Sequence, residues 1–228
     1  MTRPDTGLLL FFEDPSRTVS RWQESDAGGP NGEEILTALH VDQLSALSGA
    51  EGTTVYLAPS TTEDEGYARE LAVSSPVSLL EVPGTIPLQR WDSGLSILFN
   101  RHAHRKILCV DGGVPGVGVE ELSRARRKLD LYRMILGREG EDRCWLIGLN
   151  GYEEVLGRAE VGPNDLLHPL LETAGRIGLD VSLLDTKQST SSGPQLELLR
   201  GLARLPAYPQ LSRALDRLDL AAGSSAQE

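Results

Sequence analysis

The sequence predicts an α/β protein with a mostly parallel central sheet that is covered by helices on both faces. Short apolar runs, which favour strands, alternate with longer segments whose apolar residues recur at helical spacing. Strands that alternate with helices are typical of a three-layer parallel sheet. The run at residues 107–110 has no polar alternation, which indicates a strand buried on both faces. We therefore expect this strand at the centre of the sheet.

Each element is predicted from its pattern and from the residues that bound it. Residues 33–47 carry one apolar helical face and end before Gly49, while residues 119–129 place acidic residues early and basic residues late, in agreement with the helix dipole. Apolar or β-branched runs predict strands at 7–12, 53–58, 77–82, 106–110, 131–136, 143–149 and 181–184. Further helices are predicted at 63–72, 94–104, 165–177, 195–205 and 210–220.

The predicted elements form a single domain. We expect residues 1–205 to form the α/β domain and residues 206–228 to form a C-terminal helix and a disordered tail, which begins at Ala222. Two polar segments, 25–32 and 187–194, are predicted as loops.

Composition limits the possible partners and the compartment. The net charge of −11 disfavours nucleic acid and anionic membrane surfaces, because a broad negative potential repels polyphosphate. No apolar run approaches the roughly 20 residues that span a bilayer, and the short N-terminal run predicts a first strand rather than a signal peptide. The two cysteines lie in apolar runs, which favours buried thiols and a cytoplasmic protein.

Asp111 follows the central apolar run and precedes Gly112 and Gly113. This pattern places a carboxylate at the carboxyl edge of the sheet, where open α/β sheets bind ligands. We expect Asp111 to hold Mg²⁺ or Mn²⁺ against a phosphate, or to accept a bond from a ribose hydroxyl. The alternative is an aspartate that only forms a turn before the glycines.

Two arginines lie four residues apart directly after the first strand. Arg17 and Arg21 could clamp a diphosphate through bidentate bonds. In the alternative interpretation they pair with Glu13, Asp14 or Glu24 on an exposed surface.

The charged loop at residues 137–143 joins two predicted strands. Glu141 or Asp142 could supply a second carboxylate beside Asp111, as a metal ligand or a general base, or the loop could simply be solvated. The histidines show no metal-ligand spacing, and we predict His102 and His104 at the surface. The P-loop, G-x-G-x-x-G and G-x-S-x-G patterns are all absent, which disfavours a Rossmann-type reductase and a serine hydrolase.

Four segments, in the same order, resemble motifs of the DUF2064 or glycosyltransferase A-like family. PSRTVSRW at residues 15–22 resembles P-G-R-V-K-T-R-L, and LCVDGGVP at 108–115 resembles I-G-T-D-C-P-D-L. GREGEDRCWLIG at 137–148 resembles G-P-A-x-D-G-G-Y-Y-L-I-G, and LLDT at 183–186 resembles D-V-D-T. Val19 replaces the family's lysine, the second acid of the central motif is missing, and Asp-Gly-Gly has become Glu141-Asp142-Arg143.

The resemblance implies the GT-A (nucleotide-diphospho-sugar transferase) fold, which is Rossmann-like and has three layers. It implies a glycosyl or nucleotidyl transferase that uses a nucleotide sugar or another nucleotide, with Mg²⁺ or Mn²⁺ at Asp111 and the diphosphate near Arg17 and Arg21. The altered motifs imply an alternative, namely a degenerate, non-catalytic relative that binds or scaffolds a protein partner.

Overall fold

The computed structural model of the chain describes residues 5–22, 30–159, 166–190 and 196–225. The strands are β1 (Thr6–Phe12), β2 (Thr53–Pro59), β3 (Ser78–Leu79), β4 (Lys106–Asp111), β5 (Met134–Glu139), β6 (Arg143–Asn150) and β7 (Val181–Lys187). The helices are α1 (Pro15–Ser20), α2 (Pro30–Ser48), α3 (Glu65–Val73), α4 (Pro87–Asn100), α5 (Val119–Lys128), α6 (Val155–Arg158), α7 (Leu167–Arg176), α8 (Leu196–Ala203) and α9 (Pro209–Ser225). A 3₁₀ turn, Thr62–Asp64, precedes α3.

All seven strands lie in one sheet, in the order β3-β2-β1-β4-β6-β5-β7. Only β6 runs antiparallel to its neighbours β4 and β5. β4 is the fourth of the seven strands, and its residues from Ile107 to Val110 are almost completely inaccessible to solvent. The prediction of a mostly parallel sheet with this strand at its centre is therefore confirmed.

Helices cover both faces of the sheet, which gives the predicted three layers. In β1, Leu9 and Phe11 face a core formed with α4, α6 and α7. The alternating residues Leu8, Leu10 and Phe12 face a second core formed with α2, α3 and α5. Because both sides of the strand are buried, its sequence is apolar without alternation.

The C-terminal helices form a third apolar cluster with α1 and α2. Leu211 and Leu215 of α9 pack in this cluster with Ile35 and Leu39 of α2. Residues 208–218 therefore contribute to a buried core. The prediction of disorder from Ala222 is wrong as far as Ser225, where α9 ends, and residues 226–228 lie outside the described residues.

A buried carboxylate fixes the start of α9. Asp42 of α2 is 2% exposed and accepts hydrogen bonds from the backbone N–H groups of Gln210, at 2.9 Å, and Leu211, at 2.8 Å. These two N–H groups belong to the first turn of α9, where helices lack internal acceptors. Burial raises the pKa of Asp42, and the two backbone bonds oppose that shift. A carboxylate from one helix thus caps another helix that lies far away in sequence.

Helix α4 begins seven residues earlier than the predicted helix at 94–104, with a proline at its first turn. His102 and His104 consequently lie beyond its end. The surface prediction is wrong for His104, which is 3% exposed and lies 3.0 Å from the Tyr56 hydroxyl. Its ring packs against Gly7, where a Cβ would come within 2.9 Å of the imidazole.

Other boundaries differ by a few residues. The predicted strand at 77–82 is reduced to the two residues of β3, and the predicted 63–72 helix begins with the 3₁₀ turn. The loop predicted at 25–32 is helical from Pro30, and its residues 25–29 lie outside the described residues. The thiols of Cys109 and Cys144 are buried and not joined in a disulfide, as predicted. Among the described residues no helix is long and apolar enough to cross a bilayer.

Candidate functional site at the carboxyl edge of the sheet

The carboxyl ends of β1, β2 and β4 meet at one edge of the sheet. Phe12 pairs with Pro59 on one side of β1, and Phe11 pairs with Asp111 on the other. Asp111 is the last residue of β4, and its Oδ1 accepts a hydrogen bond from the Gly113 N–H at 2.8 Å. Residues that follow these three strands form the candidate site, which we call the rim.

Residues 188–190, which follow β7, close over the tip of β4. The Thr190 N–H donates to the Gly113 carbonyl at 2.8 Å, and the Thr190 hydroxyl donates to the same oxygen at 2.9 Å. The indole N–H of Trp22 donates to the Thr190 carbonyl at 2.8 Å. Ser189 and Thr190 are almost completely buried. The backbone around Asp111 is therefore held by segments from both ends of the chain.

The Asp111 carboxylate has a strongly perturbed acidity. Burial, together with the charges of Glu139 and Glu13, raises its pKa to about 7. The Gly113 bond and the charge of Arg143 oppose this shift. At neutral pH this group exchanges a proton readily, which is a property that many functional carboxylates share.

Glu139, at the end of β5, is the second carboxylate beside Asp111. Its side chain is 6% exposed, and its Oε1 accepts from Arg143 Nη2 at 2.7 Å and from the Ser189 N–H at 3.3 Å. Burial raises the pKa of Glu139, while Arg143 lowers it. Sequence reasoning missed this residue because the strand was predicted to end at Leu136. A signal was present, since Gly137 and Glu139 alternate with the exposed Arg138.

Arg21 also reaches this group of carboxylates. Its guanidinium binds Glu13 in a two-bond arrangement, with Nη1 2.7 Å from Oε1 and Nη2 on Oε2. The bond to Glu13 raises the pKa of Arg21, and the Asp111 charge contributes in the same direction. The structure thus brings together Arg21 and Asp111, two of the residues predicted from sequence.

Arg17 is held at the neighbouring strand end. Its Nη1 donates to Asp64 Oδ1 at 2.8 Å and to the Thr61 hydroxyl at 2.6 Å, and its Nη2 lies 3.0 Å from Glu63. Asp64 is fully buried and also accepts from the Asp14 N–H at 3.0 Å. Arg17 therefore ties the segment after β1 to the segment after β2.

Glu141 and Asp142 lie exposed on the turn between β5 and β6. The Asp142 carbonyl accepts from the N–H groups of Leu166 and Leu167, and its carboxylate lies 3.8 Å from His168 Nδ1 at the start of α7. The charges identified as acting on Asp111 belong instead to Glu139, Glu13 and Arg143. The second carboxylate expected from this loop is therefore provided by the strand before it.

These surroundings do not suit a resident divalent cation. A magnesium ion needs one or two available carboxylates besides phosphates and waters. Glu139 and Glu13 are each bound to a guanidinium, and the charge of Arg143 acts on Asp111. In the described part of the chain, no group of three or more His, Cys, Asp and Glu side chains is arranged to hold a metal ion. The predicted Mg²⁺ or Mn²⁺ at Asp111 thus remains without a supporting donor set.

A cavity of about 740 Å³ lies beside the rim, between α3, the segment from β3 to α4, and α4 itself. Arg90 of α4 lines it and is 2% exposed. Its Nη2 donates to Glu65 at 3.2 Å, and its Nη1 lies 3.5 Å from the Pro59 carbonyl. Its buried Nε has no hydrogen-bond partner among the described residues. Glu65 directly follows Asp64, which binds Arg17, so one residue of the cavity wall is adjacent in sequence to a residue of the rim.

Comparisons with known proteins agree with this architecture. No protein-family profile and no curated protein sequence matches the chain. Among solved structures, a Desulfovibrio desulfuricans G20 protein provisionally named a nucleotide-diphospho-sugar transferase matches with a TM-score of 0.78 at 18% identity, over 94% of this chain and 96% of that one. The chain has the nucleotide-diphospho-sugar transferase fold. The predicted fold is therefore confirmed.

Two further structures share the fold at greater distance. A cytidylyltransferase from Leptospira borgpetersenii matches with a TM-score of 0.57 at 10% identity, over 96% of this chain and 95% of that one. The 4-diphosphocytidyl-2C-methyl-D-erythritol synthase of Anaerococcus prevotii matches with a TM-score of 0.54 at 10% identity, over 87% and 94%. At these identities the likeness establishes the fold, and the narrower DUF2064 resemblance stays a prediction.

Proposed function

We propose that this protein is a nucleotide-dependent transferase that moves a glycosyl or nucleotidyl group from a nucleotide sugar or another nucleotide. The observation that carries the proposal is the perturbed Asp111 carboxylate at the tip of the central strand, with the charge of Arg143 acting on it and its own charge acting on Arg21. Ligands of open α/β sheets bind outside the carboxyl ends of the strands, where this group lies.

The cavity beside Arg90 is the proposed site for the nucleoside. Its volume of about 740 Å³ falls within the usual range of small-molecule sites. Within the described part of the chain, the buried Nε–H of Arg90 has no partner, which costs free energy unless a ligand acceptor supplies the missing bond. A nucleoside in the cavity would direct its phosphates along the rim towards Arg17 and Arg21.

The proposed chemistry needs a group that accepts the proton of the attacking hydroxyl. A base is most effective when its pKa lies near the working pH, and the pKa of Asp111 is raised to about 7. Glu141 and Asp142, which the sequence suggested for this role, are exposed. We therefore assign the role to Asp111, and Glu139 is a positioning residue that holds Arg143.

The alternative function is that of a non-catalytic relative that binds a nucleotide or a protein partner. The observation that favours it is that Arg17 and Arg21 are already paired with Asp64 and Glu13. A ligand would have to share these guanidiniums with the carboxylates.

Thermal-shift screening with nucleotide sugars and nucleoside triphosphates, with and without Mn²⁺, tests the proposal. A ligand that binds the folded state raises the melting temperature. Arg21→Ala should weaken the binding of such a ligand by about 1–3 kcal/mol, the range for a charge-assisted bond. Arg200→Ala is the matched control, because Arg200 forms an exposed pair with Asp219 of α9.

The outcomes separate the two functions. Binding followed by release of a labelled product, measured by chromatography, would support the transferase. Binding without turnover of any donor would favour the non-catalytic relative, and no binding of any nucleotide would end both nucleotide proposals.

A further inference from the structure

Two arginine–carboxylate pairs flank Asp111, and in both pairs the carboxylate is the more buried partner. The side chain of Glu139 is 6% exposed while that of Arg143 is 46% exposed. The side chain of Glu13 is 23% exposed while that of Arg21 is 44% exposed. The guanidinium groups therefore lie on the solvent side of their partners. In each pair the arginine side chain is the partner more accessible to a ligand.

Both pairs border the segment that covers Asp111, since Glu139 accepts from the Ser189 N–H at 3.3 Å and Trp22, the residue after Arg21, donates to the Thr190 carbonyl at 2.8 Å. In the described part of the chain, the Arg143 guanidinium donates one hydrogen bond, from Nη2 to Glu139. Its remaining N–H groups are available to a ligand, since a guanidinium carries five donors in a planar fork. That fork matches the oxygen spacing of a phosphate.

The same geometry opposes a divalent cation. A dication at Asp111 would compete with Arg143 for Glu139 and with Arg21 for Glu13, and it would lie between two like charges. Removal of either guanidinium contact would leave a poorly solvated carboxylate, which is costly. The carboxylates that a metal would need as ligands are already bound by arginine side chains of the same chain.

We propose that Arg143, held by Glu139, acts together with Arg21 as the cationic site for a diphosphate, which binds at this rim without a divalent metal. The inference rests on the proposed function for the identity of the ligand. The proposed site differs from a metal-bridged site in the role of Asp111, and this difference can be measured. Asp111 would be a ligand of the metal in a bridged site, whereas here it is an unfavourable negative charge beside the bound anion.

Calorimetric titration with inorganic pyrophosphate tests the inference, with the full-length protein in EDTA and again in Mn²⁺. We expect equal affinity in the two conditions, a loss of about tenfold or more in Arg143→Gln, and partial recovery in Arg143→Lys. Asp111→Asn should bind pyrophosphate more tightly than the wild type, because it removes the repelling charge. Glu197→Gln, at an exposed side chain of α8 away from the rim, is the control for a general change in surface charge.

A second variant controls for the possibility that Arg143→Gln loses binding because it unfolds. Arg143→Gln leaves Glu139 buried without its partner, so the double variant Glu139→Gln/Arg143→Gln removes both charges together. It should keep the wild-type circular dichroism spectrum and lose pyrophosphate binding. Mn²⁺ binding is measured separately by electron paramagnetic resonance, and we expect none at Asp111 in the wild type.

The results distinguish this inference from the proposed function. Pyrophosphate binding that needs Mn²⁺, or Mn²⁺ binding that Asp111→Asn abolishes, would overturn the inference and leave a metal-dependent transferase standing. Pyrophosphate binding in EDTA with no affinity for any nucleotide would support the inference and overturn the proposed function. Absence of pyrophosphate binding in both conditions would overturn the inference.

Discussion

Replacement of Asp111 by Asn should make the protein more stable, and the gain should grow with pH. The pKa of Asp111 is raised from 3.8 to about 7, so the folded state resists its ionisation. Below about pH 4 the carboxyl is protonated in both the folded and the unfolded state, so it does not lower the free energy of unfolding. Between about pH 4 and 7 the unfolded chain loses the proton first, so the free energy of unfolding falls as the pH rises. Above about pH 7 the full cost is present.

The size of the stability gain in Asp111→Asn follows from the pKa shift of Asp111. At about 1.4 kcal/mol for each pKa unit, the difference corresponds to an upper limit of about 4 kcal/mol. Asp111 is partly exposed, so solvent screening reduces the expected gain to about 1–3 kcal/mol at pH 8. Asparagine keeps the shape and an oxygen that can accept from the Gly113 N–H. The substitution therefore removes the charge with little change in packing.

Urea unfolding of both proteins at about pH 5 and about pH 8 measures this gain. We expect a small rise of the Asp111→Asn midpoint over the wild type at the lower pH and a clearly larger rise at the higher pH, with unchanged slopes. Asp180→Asn, at an exposed position before β7, should show no such pH-dependent difference. If Asp111→Asn destabilises the protein equally at both values, the carboxylate is a structural turn residue and our account of the rim fails.

Two other substitutions test the packing that positions the site. Asp42→Ala should lower the free energy of unfolding by about 1–2 kcal/mol, as expected for the loss of a helix cap. It should also make α9 more sensitive to limited proteolysis, and unchanged proteolysis would contradict the capping role. Gly148→Ala should cost about 1–3 kcal/mol in urea unfolding, because its Cβ would lie 2.5 Å from Ile135 and 2.8 Å from Leu108. Gly66→Ala, on α3 with no atom within 4 Å of the new Cβ, should instead stabilise by about 0.5–1 kcal/mol, and equal effects at both glycines would refute the steric argument.

The sequence was sufficient to predict the sheet, because strands buried on both faces have a distinctive pattern. The run that ends at Asp111 placed β4 at the centre and its carboxylate at the correct edge. Periodicity is less informative where an element begins or ends. The start of α4 at Pro87 was missed, and so was the extension of β5 to Glu139.

The composition of the candidate site was predicted only in part. Arg21 and Asp111 follow parallel strands, so their proximity could be inferred from topology. Glu139 and Arg143 belong to the antiparallel pair β5–β6, whose register shifts beside Gly137. Such an irregularity depends on tertiary packing and cannot be inferred from a local sequence pattern.

The bond between Trp22 and Thr190 has a consequence for the synthesis of the protein. These residues are 168 positions apart, and the Thr190 backbone also holds Gly113. A nascent chain can form the first strands and helices early, but the support behind Asp111 is not complete until residue 190 has left the ribosome. Contacts that join such distant residues close late and slow the folding of a domain. We therefore expect ligand-binding competence to emerge only at the final stage of folding, well after the central strands have paired.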